Sequence, residues 1–242
     1  MSAAAAGPTL RPIEGLGRGL VIVLWIGMLG DLANILVTFL EMQVLERYRR
    51  GEVASDAEIT RALDRSGFVG LVILVLFLVS GILWLVWQHR GHANLHAAGV
   101  DGLRFTPGWA VGWWFVPFAN LVKPFQTVRE LWKASDGSPR WRETKTWPVI
   151  GWWWSGYLLF NVLDGVASAY FADQAVTVDS LITGDKFSIA GDVGSIATAV
   201  LAIWIVRSVA RRQEGLGAAR SVADGFIPPR PDLPDRRLGS GL

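Results

Sequence analysis

The chain has 242 residues, 51% of them hydrophobic, with 13 Trp, no Cys and a net charge of +2. The absence of cysteine excludes a disulfide framework and any thiolate metal site, and no basic, aromatic-studded solvated stretch points to nucleic acid. Charges are nearly absent from several stretches of about 20 residues, the length a helix rising about 1.5 Å per residue needs to cross a bilayer core about 30 Å thick.

Residues 1–19 read as a flexible tail, since Arg11 and Arg18 come too late and the following apolar run is too long for a cleavable signal. A first span runs from Leu20 to Leu40 and carries Asp31 and Asn34. The charged segment 41–66 belongs outside the membrane, with a short surface helix over Ala57–Leu63. The second span, Phe68–Trp87, has no charge, and Trp84 and Trp87 stand where an interfacial aromatic belt would lie.

Residues 107–135 behave differently. The uncharged run Trp109–Val122 is short for a full crossing and contains Pro117, with Pro124 just beyond. From there Leu121, Phe125, Val128 and Trp132 fall on one helical face, with Gln126, Arg129, Glu130 and Lys133 on the other. The expectation is a half-membrane helix, a Pro-Asn break, and an interfacial amphipathic helix lying on the membrane surface.

A third span covers Trp147–Tyr170, with Trp152, Trp153 and Trp154 near its start and Asn161 and Asp164 inside. An acidic loop over 171–187 leads to a fourth span, Ile189–Val206, with Asp192 near its start. Residues 211–242 are rich in Pro and Gly toward the end and read as a disordered tail. The fold class is therefore all-α: a polytopic transmembrane helix bundle over 20–210, with four spans plus a re-entrant half-helix and an interfacial helix. Five full spans is the alternative; segment length and the two prolines favour four.

Basic residues after the fourth span and in the loop with Lys133, Arg140, Arg142 and Lys145 put the C-terminus in the cytoplasm of a bacterial inner membrane, and the acidic loop outside. The Arg-rich segment 41–66 argues against that orientation.

Residues 103–135, LRFTPGWAVGWWFVPFANLVKPFQTVRELWKAS, carry a Thr-Pro-Gly-Trp start at 106–109, a Gly112-Trp113-Trp114-Phe115 core, PFANL over 117–121, Pro124-Phe125, and Glu130-Leu131-Trp132. With tryptophans 152–154, this block resembles the bacterial membrane family named domain of unknown function 4328. The resemblance extends over roughly residues 20–210. It implies a polytopic bacterial membrane protein, and it brings no catalytic residues with it.

The residues able to carry chemistry are the polar ones inside the spans. An isolated charge at the bilayer centre costs about 3 kcal/mol on insertion scales, so Asp31 and Asp164 should look inward. Asp31 and Asn34, like Asn161 and Asp164, are three apart and share a face. They form a proton or ion site between the first and third spans, or polar glue between packed helices. Asp192, nearer the outer surface, reads as glue. Asn120, beside the Pro117 and Pro124 break, would satisfy freed backbone groups or contact a solute. His89, His92 and His96 share a face, read as solvated or headgroup-contacting; a metal site there lacks partners. No enzyme motif, metal or cofactor is indicated. A non-enzymatic scaffold or regulatory subunit is the first expectation, with a membrane partner or second copy in the bilayer; a small proton- or ion-coupled permease is the alternative.

Overall fold

The computed structural model describes residues 10–52, 55–172 and 177–225. Its elements are helices throughout: α1 (Glu14–Arg49), α2 (Asp56–Ala97), the short α3 (Pro107–Gly112), α4 (Lys123–Ala134), α5 (Pro148–Phe171) and α6 (Val178–Gly225). Three of them, α1, α2 and α6, are long and apolar enough to cross a membrane. The expected third span, α5, reaches about 36 Å at 1.5 Å per residue but does not stand among those three. Its tryptophans, Asn161 and Asp164 make it less apolar.

The long helices exceed their expected spans. α1 starts at Glu14, inside the expected tail, because Ile13, Gly17 and Leu20 are already buried against the bundle. The expected surface helix at 57–63 is instead the beginning of α2. α6 starts at Val178, so much of the expected acidic loop is helical, and it continues through 211–225, the first part of the expected tail. Gln213 explains that extension: it is buried and hydrogen-bonds Asn94, Ser135 and the Gly91 carbonyl. Residues 1–9, 173–176 and 226–242 of the expected tails and loop lie outside the described residues.

The helices alternate in direction. α1 packs against both α2 and α6, and α6 packs along α5. At one end, the tip, Arg47 pairs with Glu58 across the α1–α2 turn, and Arg49 reaches Asp179 of α6 at 3.3 Å. At the opposite end, the base, α3, α4 and the connecting turns lie across the helices. Trp84 of α2 stacks on Trp153 of α5 at 5.0 Å, and Trp154 stacks on Tyr157 at 5.2 Å. Trp84 and Trp87 are buried inside this cluster rather than forming an outward belt. The outward surface of α1 and α2 is apolar instead, with Ile22, Leu29, Leu36, Phe68, Leu71 and Leu78 all exposed.

The 107–135 region also departs from expectation. α3 is only six residues long, and turns follow it rather than a half-membrane helix. Phe118 takes φ +62°, a conformation rare outside glycine. It is held where the Ala119 N–H donates to the Pro117 carbonyl and the Asn120 N–H to Val116. Pro117 thus sits in a turn, while Pro124 lies in the first turn of α4, where proline starts helices rather than breaking them. The Trp154 indole donates to the Leu121 carbonyl at 2.9 Å, satisfying one group freed by the irregular backbone.

α4 packs its apolar face on α2, α5 and α6, with Val128, Leu131 and Trp132 buried. It uses that face for protein contact rather than lying free on a surface. Glu130, expected on the polar face, is buried because the N–H groups of Arg104 and Phe105 donate to its two oxygens at 2.9 and 3.1 Å. Burial pushes this carboxyl above its ordinary range, against the pull of those two donors.

The seat of α4 is tight at Gly91 of α2. A Cβ there would lie 2.9 Å from Leu131 Cδ1 and 3.3 Å from Ile13 Cδ1. Leu131 is fully buried and has nowhere to move. Gly91→Val should therefore cost about 1–3 kcal/mol by overpacking, read as a lower unfolding midpoint in detergent. An unchanged midpoint would mean that α4 does not seat on α2 as described.

Candidate functional site

Polar residues of α1 recur at Asp31, Asn34, Thr38 and Glu41, spacings of three, four and three that keep them on one helical face. That face meets α6, where Asp185, Asp192 and Ser195 occur at spacings of seven and three. Asp31, Thr38, Glu41, Asp185 and Asp192 are all buried.

One layer of this seam draws on three helices. The Asn34 amide donates to Asp192 Oδ2 at 2.9 Å. Ser195 hydrogen-bonds Asp31, and Asp31, Asp164 and Asp192 lie within electrostatic reach of one another. Asp164 of α5 reaches the seam because α6 has Gly191 at the contact: a Cβ there would collide with the Asp164 carboxylate. Small residues elsewhere along this contact serve the same end; a Cβ on Gly156 would lie 2.6 Å from the Thr198 hydroxyl oxygen.

A second acidic pair lies nearer the tip. Ser66 of α2 donates to Glu41, Asp185 lies within electrostatic reach of Glu41, and Asp185 Oδ2 is buried with no hydrogen-bond partner among the described residues. Arg65 is within reach of Glu41. Among the described residues, however, no Lys or Arg forms an ion pair with any of these five carboxylates.

The expected site is therefore partly assembled. Asp31, Asn34 and Asp164 come together, but of the two carboxylates expected to look inward only Asp31 is buried; Asp164 is exposed on the side of α5 where it meets Gly191. Asn161 does not join them; it is exposed and donates to the Tyr157 carbonyl of its own helix at 2.7 Å. Asn120 lies in the base turns, on none of the helices bearing the carboxylates. Asp192, expected near a surface, belongs to the cluster. α6 starts at Val178, which puts Asp192 about 21 Å into the helix at 1.5 Å per residue.

Ser195, Glu41 and Asp185 were not expected at the site. The spacing 31, 34, 38, 41 carries the signal for Glu41, which lies one residue past the apolar run ending at Leu40. The histidines do not share a solvated face either. His92 is fully buried with Nδ1 3.0 Å from the Gln88 carbonyl, while His96 Nε2 lies 3.1 Å from the Phe105 carbonyl. Among the described residues, no group of His, Asp and Glu is arranged to hold a metal ion.

A family model described as Domain of unknown function (DUF4328) matches residues 50–211, more than half of the chain. The chain belongs to this family. The DUF4328 match takes in α2 through most of α6, with Asp164, Asp185, Asp192 and Ser195, while Asp31, Asn34 and Glu41 on α1 precede it. No curated protein and no solved structure matches the chain.

Proposed function

We propose that this DUF4328 protein is a non-enzymatic four-span protein of the bacterial inner membrane. It takes up and releases a proton at Asp31, Asp164 and Asp192, as a small proton- or ion-coupled permease would. The observation that carries the reading is the convergence of three carboxylates from three helices on one layer, with no basic side chain paired to them among the described residues. Three ionised carboxylates in a bilayer interior would each cost several kcal/mol and repel one another. Such a group persists in apolar surroundings by holding protons, and a change in its surroundings then changes how many it holds.

The four long helices alternate in direction, so four crossings return both ends of the chain to one side. The basic residues of the base, including Lys133, Arg140, Arg142 and Arg207, favour the cytoplasm for that side.

A scaffold or regulatory subunit is the second reading, favoured by the Asn34–Asp192 hydrogen bond, which ties α1 to α6 as polar glue would. The proton reading requires carboxyls that hold protons at neutral pH. A hydrophobic carbodiimide modifies carboxyl groups that are protonated in an apolar setting. At neutral pH it should label Asp31, Asp164 or Asp192, mapped by peptide mass, and labelling should fall as pH rises. Absence of adducts on all three at neutral pH would sink the proton reading and leave the glue.

A further inference from the structure

The base holds a cavity of about 420 Å³ between residues 104–113 and the start of α4. Arg104 and Lys123 line it with the amide of Gln126, the hydroxyl of Thr106, and Trp109 and Trp113. Neither cation has an ion pair among the described residues. Lys123 Nζ stands 5.3 Å from the Trp113 ring and 6.0 Å from that of Phe105, contacts that steer the ammonium while leaving its N–H groups free to donate. Glu130 is the nearby acid, and the backbone N–H groups of Arg104 and Phe105 already occupy its two oxygens. Those bonds, with the His96 contact to the Phe105 carbonyl, hold the cavity wall in place.

The surroundings are apolar. Trp109, Phe115, Phe118, Leu121 and Val122 are exposed around the same base turns, and Phe118 is 86% exposed despite its positive φ. The Trp154–Leu121 hydrogen bond puts this loop about 9 Å along α5 from its start, measured at 1.5 Å per residue. Two cations and bare aromatic and aliphatic side chains thus lie side by side on the same base turns. An amphiphile with an anionic head and hydrocarbon tails matches that pairing; a soluble anion would leave the apolar part unused.

We propose that this cavity is a binding site for the phosphate headgroup of an anionic phospholipid. Arg104 and Lys123 take the phosphate oxygens, Gln126 and Thr106 supply neutral hydrogen bonds, and the 115–122 turns lie against the acyl chains. Charge-assisted contacts from two cations favour the phosphodiester with a net negative charge over a zwitterionic head, whose own ammonium Arg104 and Lys123 would repel.

The test uses the purified full chain in detergent. Short-chain phosphatidylglycerol, short-chain phosphatidylcholine of equal length, and inorganic phosphate are titrated while the unfolding temperature is followed. Phosphatidylglycerol should raise the unfolding temperature saturably, phosphatidylcholine should bind at least ten-fold more weakly, and inorganic phosphate should have no effect at the same concentration. Arg104→Gln and Lys123→Gln should each weaken the phosphatidylglycerol response about ten-fold. Arg129→Gln, on the same helix as Lys123 but outside the cavity, should not change it. Either cavity variant that unfolds at the wild-type temperature without lipid is informative alone. Equal responses to the two lipids, or cavity variants that respond as wild type, would overturn the site. A shift with inorganic phosphate as large as with phosphatidylglycerol would overturn the lipid as its ligand.

Discussion

Changing Asp31, Asp164 and Asp192 together to asparagine is expected to leave the bundle assembled while removing up to three titrating protons from it. Asparagine keeps the shape of each side chain and an oxygen that accepts, so the donors Asn34 and Ser195 retain partners. What disappears is the exchangeable proton. The comparison is a potentiometric titration of wild type and triple variant in the same detergent, together with proton flux into vesicles carrying a pH-sensitive dye. Polar glue predicts equal flux from both proteins, and that outcome would retire the proposed permease. A sharper contrast comes from Asp192→Ala. It leaves the Asn34 amide without its partner, a loss of about 1–3 kcal/mol for an unsatisfied buried donor, whereas Asp192→Asn should cost much less.

The largest loss of stability should come from Trp87→Ala. Trp87 is fully buried between α1, α2 and α6, with Trp84 at 5.2 Å and Gly17 and Val206 close by. Removing a buried tryptophan costs about 3–5 kcal/mol, from lost transfer energy and the cavity left behind. Its indole nitrogen has no hydrogen-bond partner among the described residues, so no polar contact is sacrificed and the loss measures packing alone. Phe77→Ala, also on α2 but 46% exposed, is the control and should change unfolding far less in the same detergent. Similar losses from both would mean that α2 does not present one end to the core and the other outward.

That contrast within a single helix bears on how the chain encodes its fold. Hydropathy is a property of composition along a segment, and it made α1, α2 and α6 readable as apolar helices. The aromatic block at 106–132 was readable for the same reason, since its residues and spacings are local. Helix ends were less so: α1 and α6 continue past the apolar runs because Ile13 and Gln213 find partners at the base, and neither partner is near in sequence.

The carboxylates divide along the same line. That Asp31 and Asp164 must avoid an isolated position in an apolar medium follows from their charge and their neighbours, so they stood out as candidates from the residues alone. Asp192 joined them only once the start of α6 was set, because a shift of several residues in a helix's origin changes depth by about 1.5 Å per residue. Asn161 left the group because it could bond its own helix's carbonyl. Glu130 turned inward because two backbone donors, 25 and 26 residues earlier in the chain, converged on it. Periodicity determines which side chains share a face; rotation and register between packed helices determine what that face meets, and those depend on every contact of the bundle at once.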